Sequence, residues 1–402
     1  MPIPRYRPHH GTALFSAGFR PFFLCAAAWA ALAIPLWLAT FAGAVEIPTA
    51  LTPATWHVHE MIFGYGAATV AGFLLTAIPN WTGRMPLQGR PLMLLVALWL
   101  VGRVAVLVSE RIGGAPFAAI ADLAFPLVFV AVVAREIAVG RNWRNLPMVV
   151  ALALLFAGNA LVHVEALGWS ETAALGNRLG IATLLMLISL VGGRIVPSFT
   201  RNWLVKRQPD AAVPASFDAI DRVALALTAL ALVAWVAVPD TAIAAAVELA
   251  AGLALALRLA RWRGGGTWRE PLLLVLHVGY GWLALGFILL ALSRLVPSLP
   301  PTAALHALTA GAIGTMTLAV MTRASLGHTG RALTAGSGTI AIYALVSLSA
   351  LLRLAAPFGG SQYLLLLSLA GAAWVAAFGL FVVIYSPALT QPRSSGGVAR
   401  PA

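Results

Sequence analysis

Charge is scarce in this chain. Asp, Glu, Lys and Arg make up 10% of its 402 residues, against roughly 25% in a soluble domain. That is too little to clothe a water-soluble surface. With 60% hydrophobic residues and a mean hydropathy of +0.90, most of the outer surface must have the bilayer as its solvent. Cysteine is nearly absent as well. Cys25 is the only one, so an internal disulfide and a stapled extracellular module are excluded. It sits in the first apolar segment and reads as core packing. No CxxCH occurs, which excludes covalently attached c-type haem. No nucleic-acid-binding motif accompanies the net charge of +13. An arginine surplus is the ordinary mark of cytoplasmic loops, so no nucleic-acid partner is expected.

What is present is a series of apolar runs. A spanning helix needs roughly 20 apolar residues. Twelve stretches qualify, near 20–44, 56–79, 91–109, 116–138, 146–167, 173–197, 219–238, 240–260, 270–293, 302–324, 335–356 and 362–386. Arg5, Arg7 and Arg20 ahead of the first run resemble the start of a secretory signal. Only further apolar runs follow, so it reads as a retained first helix. The expected fold is an all-α membrane protein, one polytopic domain with tails at 1–17 and 387–402. Arg84, Arg90, Arg135, Arg141, Arg144, Arg194, Arg201, Lys206, Arg207, Arg258, Arg261, Arg263, Arg269, Arg323 and Arg331 fall in alternate loops. The intervening ones hold mostly acids, with Arg111, Arg294 and Arg353 as exceptions. This bias places both termini in the cytoplasm, and an even number of spans agrees.

Helices two, six and ten end in similar runs, Pro79-Asn80-Trp81-Thr82-Gly83-Arg84, Pro197-Ser198-Phe199-Thr200-Arg201-Asn202-Trp203 and Gly327-His328-Thr329-Gly330-Arg331. Helices four and eight carry the acids Asp122 and Glu248. Helices three and eleven carry Arg103 and Arg353. This hints at three pseudo-repeated units of four helices, and repeat-built membrane folds place their sites at repeat interfaces. Shared loop chemistry alone would give the same runs.

Direction sets depth. His57, His59 and Glu60 on the second span, His163 on the fifth and His306 on the tenth all fall near the periplasmic end, so four of the eight histidines share one face. Intramembrane ionisable groups are costly and point to function, and imidazole is a ready ligand for haem iron and copper. His59 and His306 are the expected haem ligands. His57 and His163 are candidates for a second metal or for neighbouring positions, and Glu60 for proton delivery. His57 and His59 point roughly 200° apart on a regular helix, so one faces a site and the other a neighbour. Arg103 and Arg178, at the same depth as Asp122, suit haem propionates. The plainer readings are an interhelical hydrogen bond for each histidine and an ion pair between Glu60 and an arginine. Four histidines cannot supply a bis-His haem and a three-His copper together without Glu60, Met61 or His277. The count therefore favours one haem, with copper as the second metal only under mixed ligation.

On the other side, His277 precedes Gly279-Tyr280-Gly281-Trp282, where small residues admit either a flat ring or a neighbouring helix. His328 lies in the loop after helix ten, beside Arg331. His277, His328 and Arg331 are counted with the cofactor-binding set as a separate site. Met316 and Met321 read as packing, and His9 and His10 as a weak surface patch.

The runs Trp56-His57-Val58-His59-Glu60-Met61-Ile62-Phe63-Gly64, Arg141-Asn142-Trp143-Arg144-Asn145-Leu146-Pro147, Gly193-Arg194-Ile195-Val196-Pro197, the stretch from His306 to Thr317, the runs above that end at Arg84 and Arg331 and the opening Leu14-Phe15-Ser16-Ala17-Gly18-Phe19-Arg20-Pro21 together resemble the NnrS family over nearly the whole chain. The resemblance implies a bacterial inner-membrane protein with haem and copper, acting in nitric oxide metabolism and nitrosative-stress tolerance beside denitrification. The layout also resembles the haem-copper oxidases, with twelve helices and histidines near the outer ends of helices two and ten. The copper-binding pair on helix seven has no counterpart in residues 219–238.

The expectation is a protein with haem b, and with copper as a second metal, that binds or reduces nitric oxide entering from the lipid. It takes electrons from an unnamed donor, and homo-oligomerisation is left open. A secondary transporter coupling protons through Glu60, Asp122 and Arg103 is the competing class, marked by counterflow without bound metal. A haem-based sensor is the third, marked by nitric oxide binding without consumption.

Overall fold

A computed structural model describes residues 11–207 and 211–394. His9 and His10 lie outside the described residues. Those described form twelve apolar helices long enough to cross a membrane, and no strand. They are α1 (Phe19–Phe41), α2 (Pro53–Thr82), α3 (Arg90–Leu107), α4 (Gly114–Val139), α5 (Trp143–Ala166), α6 (Ala173–Arg207), α7 (Ala219–Ala237), α8 (Ala242–Ala260), α9 (Pro271–Leu295), α10 (Pro301–His328), α11 (Ser337–Phe358) and α12 (Gly360–Thr390). Only helices satisfy every backbone group within the segment, which a lipid-facing span requires.

Local chemistry sets many of the ends. Thr52 caps α2 by accepting from Thr55 N, and Pro53 occupies a first-turn position where no amide is needed. Gly83, at φ +71°, closes the same helix in the left-handed conformation that favours glycine. α6 departs from expectation. It continues to Arg207, so much of the segment expected as the 194–218 loop is helical. An apolar count finds only the part in hydrocarbon. Beyond it Thr200 and Leu204 stay buried, while Lys206 and Arg207 meet the negative end of the helix dipole. α12 likewise runs past 386 to Thr390.

α2, α6 and α10 each contain a π-helical turn, at Glu60–Gly66, Ile188–Gly192 and Ala307–Gly314. No other helix does among the described residues. These are the three helices that the sequence aligned. A π turn widens the helix and frees backbone groups, and such turns concentrate at functional sites. Two carbonyls of these turns accept a side-chain donor as well as a backbone one: Trp99 Nε1 donates to Gly64 O at 3.0 Å, and Arg258 Nη1 to Ser189 O at 3.1 Å.

The chain packs as two compact units. The first comprises Met1–Gly180, Met321–Leu333 and Gly379–Ala402, and the second Ile181–Val320 and Thr334–Phe378. Within the second, Arg258 is buried against Asp221 and Tyr280. Glu248 pairs with Arg294. Gly279 lies so close to Met316 that a Cβ there would meet its backbone nitrogen at 3.2 Å. At Gly279, then, the small residue admits a helix.

Outside the spans, Asp218 caps α7 by accepting from Ile220 N and pairs with Arg261. The guanidinium holds its carboxyl down, at about 2. A carboxyl depressed on folding contributes stability above its unfolded value, and that contribution fades as pH falls toward the folded value. Melting of wild type and Asp218→Asn in detergent should therefore differ at neutral pH and converge between about pH 4 and pH 2. A constant difference across that window would refute the assignment.

Candidate functional site

The first unit buries a polar cluster in hydrocarbon surroundings. Its residues come from α2, α3, α4 and α5, near the helix ends opposite the chain termini. His59, Glu60, Arg103, Asp122, Asn159 and His163 are each at most 2% exposed. Removing so many polar groups from water is costly unless they satisfy one another, and here they largely do.

Asp122 is the hub. Its Oδ2 accepts from Asn159 Nδ2 at 2.8 Å and lies 2.9 Å from His163 Nε2 and 3.2 Å from His59 Nε2. Its Oδ1 accepts from Arg103 Nη2. Arg103 Nη1 donates to Glu60 Oε2 at 2.6 Å, and Trp29 Nε1 donates to the same oxygen at 2.7 Å. Glu60 Oε1 lies 3.0 Å from His59 Nδ1. Asn159 Oδ1 lies 2.8 Å from His59 Nε2. The rings of His59 and His163 meet edge to face at 5.3 Å. Asn159 and His163 stand four residues apart on α5 and so share a face.

Two glycines make room. A Cβ at Gly64 would lie 2.9 Å from both Glu60 Oε2 and Trp29 Nε1 and 3.0 Å from Arg103 Nη1. A Cβ at Gly102 would lie 2.9 Å from Asp122 Oδ1. Glu60 and Gly64 both lie in the π turn that follows His59.

Two carboxylates against one guanidinium leave a formal negative charge before either imidazole is counted. One ligand atom each from His59, Asp122 and His163 lies within 4.8 Å of the others. Two imidazoles and a carboxylate are a donor set that copper, zinc or iron accepts.

The other expected residues are distributed differently. His57 stacks on Trp37 with ring centroids 4.1 Å apart, outside the cluster. Arg178 is not among the cluster's hydrogen-bond partners, and its Nε is buried without one. Arg103, expected to serve propionates, is held by Glu60 and Asp122 instead. His306 belongs to the second unit. There its Nδ1 lies 2.6 Å from Thr302 O, which leaves Nε2 as the lone-pair nitrogen. His277, in the same unit, has Nδ1 3.0 Å from Leu273 O and Nε2 3.4 Å from Thr200 Oγ1. His328 and Arg331 are in the first unit, at the opposite end of the helices from the cluster. Sequence reasoning missed Asn159, Trp29, Gly64 and Gly102. Only Asn159 carried a signal, its four-residue spacing from His163.

The sequence model of the NnrS family matches residues 13–393. The chain belongs to the NnrS family. The match spans every helix described above and all residues of the buried cluster. NnrS membership supports a role in nitric oxide metabolism. No curated protein matches the chain.

Proposed function

We propose that this NnrS protein handles nitric oxide, binding or reducing it, at a metal centre held by His59, Asp122 and His163. The observation that carries the reading is the convergence of three ligand atoms in a buried site. Glu60 supports it by engaging Nδ1 of His59. Such carboxylate–histidine pairing fixes the tautomer, aims Nε2 and strengthens it as a donor. With both its oxygens engaged, Glu60 acts here to hold His59 rather than to carry a proton. Both nitrogens of His59 already face oxygen atoms, which suits a metal ion shared with Asp122 better than a haem iron.

Haem b would be held by His306 in the second unit, because the bond to Thr302 O leaves Nε2 available as a ligand. Arg353 lies within electrostatic range of His306 and has a buried, unpartnered Nη1, which suits a propionate. Bound there, copper and haem iron would supply a coordination position for nitric oxide and a route for electrons from a donor. The arginine bias supports a cytoplasmic side for the termini and a periplasmic one for the cluster, and family membership supports a bacterial inner membrane. A small apolar gas reaches such a site through the lipid, so no polar channel is required.

The test is copper and haem content per chain, measured on protein purified in detergent. Copper near one per chain that disappears in His163→Ala, with a Soret band that disappears in His306→Ala, is the expected result. A preparation with neither metal nor Soret band, and with counterflow activity in proteoliposomes, would establish the carrier reading instead.

A further inference from the structure

A second cluster in the first unit lies at the end of the helices that carries the termini, and it holds cations only. Arg20 is 4% exposed and donates through Nη1 to the carbonyls of Leu389 and Gln391, at 2.9 and 2.7 Å. It thereby caps the C-terminus of α12. Arg331 lies within electrostatic range of Arg20, and Arg393 within range of His328. The His328 ring meets Phe19 at 5.5 Å, and the Arg20 guanidinium also lies 5.5 Å from the Phe19 centroid. Ser394 N donates to Thr329 O at 3.0 Å. Gly330, at φ +76°, lets Arg393 pack against the turn: a Cβ there would lie 3.3 Å from Arg393 Nε and 2.5 Å from Ser394 O. Three segments far apart in sequence are thus drawn together, and Arg331 Nη1 is buried without a partner.

Among the described residues, no carboxylate pairs with this group. The chain has no Asp or Glu before Glu46 and none after Glu270, so the segments that build the cluster contain no acid at all. Scattered arginines on a cytoplasmic face need no counterion. Guanidinium groups brought together, one buried and another with an orphaned nitrogen, repel and require one. Arg20 stands in the first turn of α1, while Arg331 and Arg393 follow the last residues of α10 and α12, His328 and Thr390. That is the level of the lipid headgroups. Guanidinium forks match phosphate oxygens in pairs, and basic pockets at helix ends on the cytoplasmic side bind anionic headgroups.

We propose that Arg20, His328, Arg331 and Arg393 form a binding site for a phosphate oxyanion, supplied by the headgroup of an anionic phospholipid or by free phosphate. The test is native mass spectrometry of the full chain. It would be exchanged from nanodiscs of phosphatidylglycerol or of phosphatidylcholine, with and without excess inorganic phosphate. Wild type should keep one phosphatidylglycerol through detergent exchange in preference to phosphatidylcholine. Arg331→Gln and Arg393→Gln should each weaken retention by about fivefold, the value of one arginine near a headgroup. Arg144→Gln, an exposed control, should leave it unchanged. Arg393 is exposed, so its variant keeps the test sound where Arg331→Gln folds poorly. Displacement of the lipid by inorganic phosphate, with phosphate bound in its place, would identify free phosphate as the occupant of the same site. Equal retention of both lipids with no phosphate bound, or a loss in Arg144→Gln equal to that in Arg331→Gln, would overturn the proposal.

Discussion

Asp122→Ala should cost the protein both its metal and much of its stability. The substitution removes one of three ligands and strips Arg103, Asn159 and His163 of a shared acceptor, all in a site at most 2% exposed. Removing one partner of a buried ion pair costs about 3–5 kcal/mol, because the other charge is left uncompensated. Copper affinity should fall by more than the about 10–100-fold that a change behind the ligands brings. Asp122→Asn separates the two effects. It keeps the shape and some hydrogen bonding, so it should lose copper with a smaller drop in melting temperature. Undiminished copper in Asp122→Ala would eliminate the proposed centre. Loss of stability alone would leave only an ion-pair network.

Gly64→Ala should disrupt the same centre without replacing any charged group. Its methyl would enter a space bounded by Glu60 Oε2, Trp29 Nε1 and Arg103 Nη1, all at 2.9–3.0 Å. These groups are fixed by one another and by the hydrogen bond from Trp99 to the Gly64 carbonyl. Overpacking of this kind costs about 1–3 kcal/mol, against a helix-propensity gain of up to about 1 kcal/mol for alanine over glycine. Gly281→Ala is the matched control, since the nearest atom to its new methyl would be 3.6 Å away, ordinary contact. Melting in detergent should fall for Gly64→Ala and hold or rise for Gly281→Ala, with copper reduced only in the former. Equal melting of the two variants would show that the Gly64 space is not tightly filled.

The twelve spans were legible because length and hydropathy are properties of each segment alone. The ends were legible where a single residue decides them, as at Thr52 and Gly83. α6 was underestimated because its last turns lie outside the apolar run and are held by burial of Thr200 and Leu204. The site was legible in part. Depth along each span placed His59, Glu60, Arg103 and His163 at one level, and α-helical geometry separated His57 from His59. Partners were not legible. Nothing in the order of residues assigns Arg103 to Glu60 and Asp122 rather than to a propionate, or places Trp29 on Glu60.

The amino-acid sequence by itself determined that the chain lives in a bilayer, how many times it crosses and at what depth its ionisable groups lie. These follow from apolar length and arginine bias, which add up along the chain with no knowledge of neighbours. Only the tertiary structure decided that Asp122 is the hub of a buried cluster, that a π turn sets Glu60 and Gly64 beside His59, and that an acid-free group of arginines gathers at the far end. Those outcomes depend on how each helix is rotated about its axis and how closely glycines let neighbours approach, which residues on other helices determine.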